Sequence, residues 1–97
     1  MNTIVNLAIQ VLPLATTKDK YKVIDDAIAT IHASGLKYVV CPFETVVEGP
    51  YDKVMELVND IQHTCFASGA DEIIVTLKLQ RRKNKDVFIE EKTGKYE

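Results

Sequence analysis

The sequence predicts an α+β domain in which the elements follow the order strand, helix, strand, strand, helix, strand. Four strands are predicted, at residues 3–14, 37–43, 45–49 and 72–82. The first and last carry an apolar face at period two, and the two between are short runs rich in residues that favour strands. Two intervening segments carry apolar residues at helical spacing. The dipeptide Ser-Gly follows each of these helices, and glycine there can adopt the left-handed conformation that ends a helix.

The first strand and the start of the first helix have the clearest local pattern. One strand face is fully apolar and carries Val5, Leu7, Ile9 and Val11. Pro13 is expected to end this strand, because it lacks the N–H that a sheet requires. Thr16 or Thr17 is expected to cap the first helix, with Asp19 in its first turn, where the helix dipole favours an anion.

Apolar stripes identify the faces that the helices and the last strand turn to the core. The first helix has Tyr21, Ile24, Ala27, Ile28 and Ile31 at helical spacing. The second helix begins near Pro50 and carries Val54, Leu57, Val58, Ile61 and Cys65. The last strand presents Ile73, Val75, Leu77 and Leu79. Each stripe predicts that one face of its element is buried.

This order of elements is the split βαβ plan of the ferredoxin-like fold, with two helices on one face of a four-stranded antiparallel sheet. We expect a single domain over residues 1–97, with 83–97 as a polar C-terminal tail. The other sheet face is expected to be uncovered and carries Ile4, Ala8 and Ile74 among polar residues. Because such a face is too apolar for comfortable solvation, we expect a homo-oligomer.

Composition excludes several classes of protein. The 97 residues carry a net charge of −2 with an isoelectric point near 5.7, so they provide no general field for nucleic acid. No apolar run has the length needed to span a bilayer, so no membrane association is expected. Cys41 and Cys65 are far apart and form no Cys-x-x-Cys motif, which favours buried thiols in a reducing compartment. We therefore expect a cytoplasmic protein.

The sequence contains no recognisable catalytic or metal-binding pattern, so we expect neither an enzyme nor a cofactor. His32 and His63 each lie in a predicted helix without a second ligand one turn away. An acylphosphatase-like enzyme of this fold would need an arginine in the loop after the first strand, and that loop has none. The basic residues from Arg81 to Lys85 are interpreted as a solvated strand end, the alternative being an anion site at a subunit interface.

The segment CPFETVVEGPYDKV, residues 41–54, is the strongest candidate for a functional site. In an extended strand Glu48 shares a face with Glu44 and Val46, while Thr45 points to the opposite face. One interpretation is that Glu48 is stabilised by the N-terminus of the helix that follows it. The other is that Glu48 is a charged acceptor at the mouth of a pocket between helices and sheet, lined by Thr45 and Phe43.

The residues SGLKYVVCPFETVVEG, followed by a helix and GADEIIVTLKLQRR, resemble the family of small thiamine-binding proteins. The resemblance covers nearly the whole chain, and its central motif is Thr-x-x-Glu-Gly. It implies a ferredoxin-like fold, assembly into dimers or tetramers, and binding of thiamine or its hydroxymethylpyrimidine part without catalysis. It assigns ligand binding to Thr45 and Glu48. Glu44 stands where the family usually has a small residue.

Three further residues are added to this ligand site from their strand positions. Phe43 or Tyr38 would provide an aromatic wall for the cationic thiazolium ring, and Asn6 an amide group. The leading hypothesis is therefore a non-catalytic thiamine- or pyrimidine-binding protein. The alternative is an oligomeric regulatory or interaction module that binds another small effector or a protein partner. Such a module would favour a carboxylate ligand held by arginine and backbone groups over an aromatic cation.

Overall fold

Four strands and two long helices make up most of the computed structural model, which describes residues 2–16 and 19–97. They are β1 (Ile4–Thr16), α1 (Lys20–Ala33), β2 (Lys37–Val40), β3 (Thr45–Pro50), α2 (Tyr51–Ala67) and β4 (Ala70–Gln80). A four-residue helix, α3 (Glu90–Thr93), and a 3₁₀ turn (Gly94–Tyr96) follow. Within the described residues no helix combines the length and apolarity needed to cross a membrane.

The sheet has the strand order β2-β3-β1-β4, and all neighbouring strands are antiparallel. Strand β3 therefore lies between β1 and β2, and β1 lies between β3 and β4. Because parallel crossovers are right-handed, both connecting helices pack on the same face of such a sheet. The predicted ferredoxin-like α+β fold is confirmed. Its core lies between the helices and the sheet and contains Val5, Leu7, Ile9, Val23, Ala27, Ile31, Val47, Val54, Leu57, Val58, Ile61 and Cys65.

Strand β1 continues past Pro13, so the prediction that this residue ends the strand is wrong. Pro13 pairs with Ile73 of β4, and the register shifts on either side of Ala15. On its other side β1 pairs with β3 only from Ile4 to Ile9. The strand is thus an edge at Pro13, where a missing N–H costs no ladder hydrogen bond.

Helix α1 begins and packs differently from the prediction. Its N-cap is Asp19, whose carboxylate accepts a 2.8 Å hydrogen bond from the Tyr21 amide. Thr16 belongs to β1, and Thr17 lies outside the described residues. The buried stripe contains Val23, Ala27 and Ile31, whereas the Tyr21 side chain is 68% exposed. The i, i+4 spacing of these three smaller residues sets the face that meets the sheet.

Residues 83–97, which we call the C-terminal strap, pack on the sheet face opposite the helices. Val87 is fully buried, and its amide donates to the Ile4 carbonyl at 2.9 Å. The Ile4 amide in turn donates to the Asp86 carboxylate at 2.8 Å. The face expected to be uncovered is therefore partly covered, and the polar tail expected over residues 83–97 includes a folded segment that packs on the sheet. Its single buried apolar side chain was too weak a pattern to predict this.

Arg82 links two points of the strap, Asp86 and Glu91. Its guanidinium donates to the Asp86 carbonyl at 2.8 Å and to the Glu91 carboxylate at 2.9 Å. The hydrogen bond from Arg82, opposed in part by desolvation, lowers the pKa of the Glu91 carboxyl, and the pKa of Arg82 is raised in return. Both groups lie near the surface, so this pair orients the strap more than it stabilises the fold.

Replacement of Val87 by alanine is expected to loosen the strap. The change removes two fully buried methyl groups, worth about 1.6 kcal/mol of transfer free energy. We expect hydrogen exchange at the Val87 amide to accelerate by about tenfold. The measurement is native-state amide exchange followed by NMR.

Phe88→Ala is the matched control, because the neighbouring Phe88 side chain is 44% exposed. It should change exchange at Val87 much less. A Val87 amide that exchanges as in an unfolded peptide in the parent protein would contradict the packed strap.

Candidate functional site

A row of four polar side chains crosses the sheet on the face that carries the strap. The strand register places Lys37 of β2 beside Glu48 of β3, Glu48 beside Asn6 of β1, and Asn6 beside Gln80 of β4. Directly paired residues of antiparallel strands point to the same face. These four residues, the polar row, are therefore held together by backbone pairing, independently of any contact between their side chains.

Glu48 is the most highly coordinated member of the polar row. Its Oε1 atom accepts a 2.6 Å hydrogen bond from the Ile89 amide and a 3.4 Å hydrogen bond from Asn6 Nδ2. Lys37 Nζ lies 3.7 Å from Oε2, and the Glu48 side chain is only 10% exposed. A buried carboxylate needs such donors to remain charged. The strap thus provides the closest partner of the motif glutamate.

The interpretation of Glu48 as a group stabilised by the N-terminus of α2 is wrong. That helix has Pro50 as its N-cap and no side-chain capping hydrogen bond. Its first amides are instead bound by the N-terminal segment, Tyr51 to the Thr3 carbonyl and Asp52 to the Asn2 side chain. The Glu48 side chain points to the sheet face away from α2, because the strand alternates its side chains.

Asn6 is almost completely buried beneath the strap. Its Nδ2 atom donates to the Val87 carbonyl at 3.0 Å as well as to Glu48. Its Oδ1 atom accepts no hydrogen bond from any residue that the structure describes, although the side chain is 4% exposed. A buried amide oxygen without a donor is unusual in a folded protein. The polar row therefore has one unused acceptor.

The second candidate location is a cleft of about 270 Å³ on the opposite face of the sheet. This helix-side cleft lies between α1, the far end of β1 and the turn that joins β2 to β3. A 2.8 Å hydrogen bond from the Cys41 amide to the Glu44 carbonyl closes that turn. Apolar side chains form most of the wall, among them Ile9, Val11, Ile24, Ile28 and Ile31.

Thr45, Phe43 and Glu44 bring the polar and aromatic groups to the helix-side cleft. Thr45 is buried at the first position of β3, and its hydroxyl forms no hydrogen bond within the part of the chain that the structure describes. Phe43 is 82% exposed and lies at the rim. The cleft therefore has an apolar interior, one available hydroxyl and a carboxylate, which is the usual composition of a small-molecule site.

The five predicted site residues fall in three places. Phe43 and Thr45 meet in the helix-side cleft, and Asn6 and Glu48 meet in the polar row. Tyr38 lies elsewhere on β2, where its hydroxyl is 2.8 Å from His32 Nδ1 and the two rings pack edge to face. The expectation that Glu48 stands at the mouth of the pocket lined by Thr45 and Phe43 does not hold, because β3 turns these side chains to opposite faces.

Sequence reasoning missed the backbone and cross-strand partners of these residues. The Ile89 amide and the Val87 carbonyl contribute no side-chain chemistry, so the sequence contains no pattern for them. Lys37 and Gln80 could have been found by aligning the predicted strands in register. Cys41, which also lines the helix-side cleft, was expected to be buried. It is only partly buried.

Among the described residues, no three His, Cys, Asp or Glu side chains are grouped so that they could hold a metal ion. His32 Nδ1 lies 2.8 Å from the Tyr38 hydroxyl. Glu48 accepts hydrogen bonds from the Ile89 amide and the Asn6 carboxamide. The two locations offer hydrogen bonding, apolar contact and negative charge to a ligand.

These features define a small ferredoxin-like domain with a ligand-sized cleft and no evident catalytic group among the described residues. Residues 7–97 match the family model described as thiamine-binding protein. The chain belongs to the thiamine-binding protein family. The family resemblance carried by the Thr-x-x-Glu-Gly motif and its flanking segments is thereby confirmed.

Relatives of known sequence or structure cover almost the full chain. A UPF0045 protein of Clostridium perfringens is 36% identical over 91 residues, which are 94% of this chain and 95% of the relative. A domain of unknown function from Bacillus cereus is 38% identical with a TM-score of 0.94, over 100% of this chain and 93% of the other. A Thermotoga maritima protein, for which a role in thiamine biosynthesis or salvage has been suggested, is 31% identical with a TM-score of 0.86, over 97% and 99%.

The two cysteines provide a test of the helix-side cleft. Burial, reinforced by the nearby Asp26 charge, raises the pKa of the Cys65 thiol, which lowers its thiolate fraction. Cys41 lines the cleft and is partly exposed. We expect iodoacetamide at pH 8 to label Cys41 in the native protein, and Cys65 only after unfolding, as measured by mass spectrometry of tryptic peptides.

Cys41→Ser provides the control for this assignment, since it should remove all native-state labelling. Labelling of Cys65 at the same rate as Cys41 would show that the packing between α2 and the sheet is open in solution.

Proposed function

We propose that this chain binds thiamine, or its hydroxymethylpyrimidine part, in the helix-side cleft and releases it chemically unchanged. Membership in a family named for thiamine binding supports the ligand, as does the suggested role of the Thermotoga maritima relative. We further propose that it acts in the cytoplasm as a carrier or buffer of the vitamin. The two free thiols suit a reducing compartment.

The observation that carries this proposal is the available Thr45 hydroxyl in an otherwise apolar cleft. A planar pyrimidine ring gains free energy by leaving water for the aliphatic wall formed by β1 and α1. Its ring nitrogens need a donor, and its amino group needs an acceptor, once they are inside. Thr45 can serve either purpose, because a hydroxyl both donates and accepts.

The rim of the cleft supports a ligand with a positive charge. Thiamine consists of a neutral aminopyrimidine and a cationic thiazolium ring. With the pyrimidine inside, the thiazolium would lie near Glu44 and the exposed ring of Phe43. A carboxylate and an aromatic face both attract a cation. The cleft volume of about 270 Å³ suits one ring inside and the second ring at the rim.

Calorimetric titration with thiamine, hydroxymethylpyrimidine and thiamine diphosphate tests this function. We expect saturable binding of the first two, and thiamine should bind more tightly because of its charge. Thr45→Val should weaken both by about three- to tenfold, since one neutral hydrogen bond is lost.

Thr76→Val is the matched control, because Thr76 is exposed on β4 and points to the opposite sheet face. It should leave both affinities unchanged. Absence of binding heat with all three compounds, from a folded protein, would refute the proposed function.

A second proposal concerns self-association through β4. This strand pairs with β1 on one side only, so its eleven residues form a long edge. The exposed side chains along it include Ile74, Leu77 and Leu79. Long apolar edge strands pair with other strands unless charges protect them. We propose that two copies join their β4 edges into one continuous sheet, and that further pairing gives a tetramer.

Sedimentation velocity with Leu77→Lys tests the β4 interface. We expect the parent protein to sediment as a dimer or a larger assembly and the variant as a monomer, because two-fold pairing brings the new charges close together. Val39→Lys is the control, since Val39 lies on the other edge strand, β2, and is 47% exposed against 41% for Leu77. A parent protein that is monomeric at 100 μM would rule out the interface.

A further inference from the structure

The strap occupies the polar row as a ligand would. The Ile89 amide donates to Glu48 Oε1, the Val87 carbonyl accepts from Asn6 Nδ2, and Lys92 Nζ donates to Gln80 Oε1 at 2.6 Å. The strap thus places one hydrogen-bond partner on each of three neighbouring strands. An acceptor and a donor of the sheet, Glu48 Oε1 and Asn6 Nδ2, lie 3.4 Å apart beneath it.

The fit of the strap is incomplete in two respects. Asn6 Oδ1 receives no donor among the described residues, although the side chain is more than nine-tenths buried. A cavity of about 360 Å³ also remains beside Asn6, between the sheet residues Ala8 and Val46 and the strap residue Lys92. An occupant with a flat apolar body would fill this cavity.

We propose that the strap is a displaceable lid over a second ligand site, formed by Asn6 and Glu48, that binds an aromatic amine with a ring nitrogen beside the amino group. The N–H of the amino group that lies beside the ring nitrogen reaches Glu48 Oε1, and the ring nitrogen accepts from Asn6 Nδ2. These two atoms take the places of the Ile89 amide and the Val87 carbonyl of the strap. The choice of an aminopyrimidine as this amine rests on the proposed function.

The strap has the features of a segment that can open separately from the domain. Its helix α3 has four residues, and only Val87 of the segment is fully buried. Segments with few buried apolar contacts open at a lower free energy than the core. While the lid is closed, the apparent affinity for the amine is reduced by the fraction of molecules that are open.

Ile89→Pro tests the lid while leaving the site residues in place. The φ angle of Ile89 is −55°, within the range that proline adopts, so the change removes the N–H donor without backbone strain at that residue. Ile89→Ala is the matched control, because it shortens the side chain and keeps the N–H. Both are made in full-length Thr45→Val protein, in which the helix-side cleft is weakened. The probe is 4-amino-5-hydroxymethyl-2-methylpyrimidine, titrated by calorimetry.

We expect the proline variant to bind the probe about ten- to a hundredfold more tightly than the alanine variant, because a hydrogen bond to a charged acceptor no longer closes the lid. Glu48→Gln added to the proline variant should abolish the gain. The analogue with an oxo group in place of the amino group should show no gain. Equal affinities of the proline and alanine variants, or a gain that survives Glu48→Gln, would overturn the proposal.

Val87→Ser, with Phe88→Ser as its control, provides the same comparison if the proline variant does not fold. The outcome is separate from that of the proposed function, which is measured by the loss of binding on Thr45→Val in the otherwise unchanged protein. The lid proposal can therefore be refuted while thiamine binding in the cleft is upheld. Thiamine binding in the cleft can likewise be refuted while the lid proposal is upheld.

Discussion

The antiparallel register of β3 on β1 is the constraint on which both candidate sites depend. It pairs Glu48 with Asn6 and Thr45 with Ile9. The first pair belongs to the polar row, and the second lies in the wall of the helix-side cleft. A shift by one residue would turn every side chain of β3 to the other face, burying a carboxylate in the core and exposing a valine. The register of this strand pair therefore decides both which side chains enter the core and which ones line each candidate site.

The sequence motif Thr-x-x-Glu-Gly gains a physical meaning from this register. Three steps along a strand separate opposite faces, so Thr45 and Glu48 cannot act on one small ligand. Gly49 follows because space is limited on the helix side: a Cβ there would lie 2.9 Å from Leu36 Cδ2 and 3.5 Å from Val54 Cγ2. The motif therefore combines a cleft hydroxyl, a carboxylate of the opposite face and a glycine that lies close to the Leu36 side chain.

The sequence predicts the order of elements well, since strand and helix periodicities are strong over residues 4–12, 45–49 and 54–65. The sequence-based prediction fails where contacts between distant parts of the chain decide the local structure. Pro13 is tolerated because β1 has one free edge there, and the edge depends on where β3 ends. The site was only half predictable for the same reason. The Thr-x-x-Glu-Gly motif singles out Thr45 and Glu48 as candidates, but the strap contacts of Glu48 and Asn6 come from backbone atoms that any sequence carries.

Charge burial explains why the strap folds although its composition is polar. Glu48 is nearly excluded from solvent, and Lys37 approaches it from an exposed position at 3.7 Å, which is a weak pairing. A hydrogen bond to a charged group contributes about 1.5–3 kcal/mol, a range similar to that for burying one valine side chain. The Ile89 amide donates the shorter of the two hydrogen bonds that Glu48 Oε1 accepts. The strap is therefore held by the carboxylate that it covers as well as by the burial of Val87. A competing donor for Glu48 would act at one of the contacts on which closure depends.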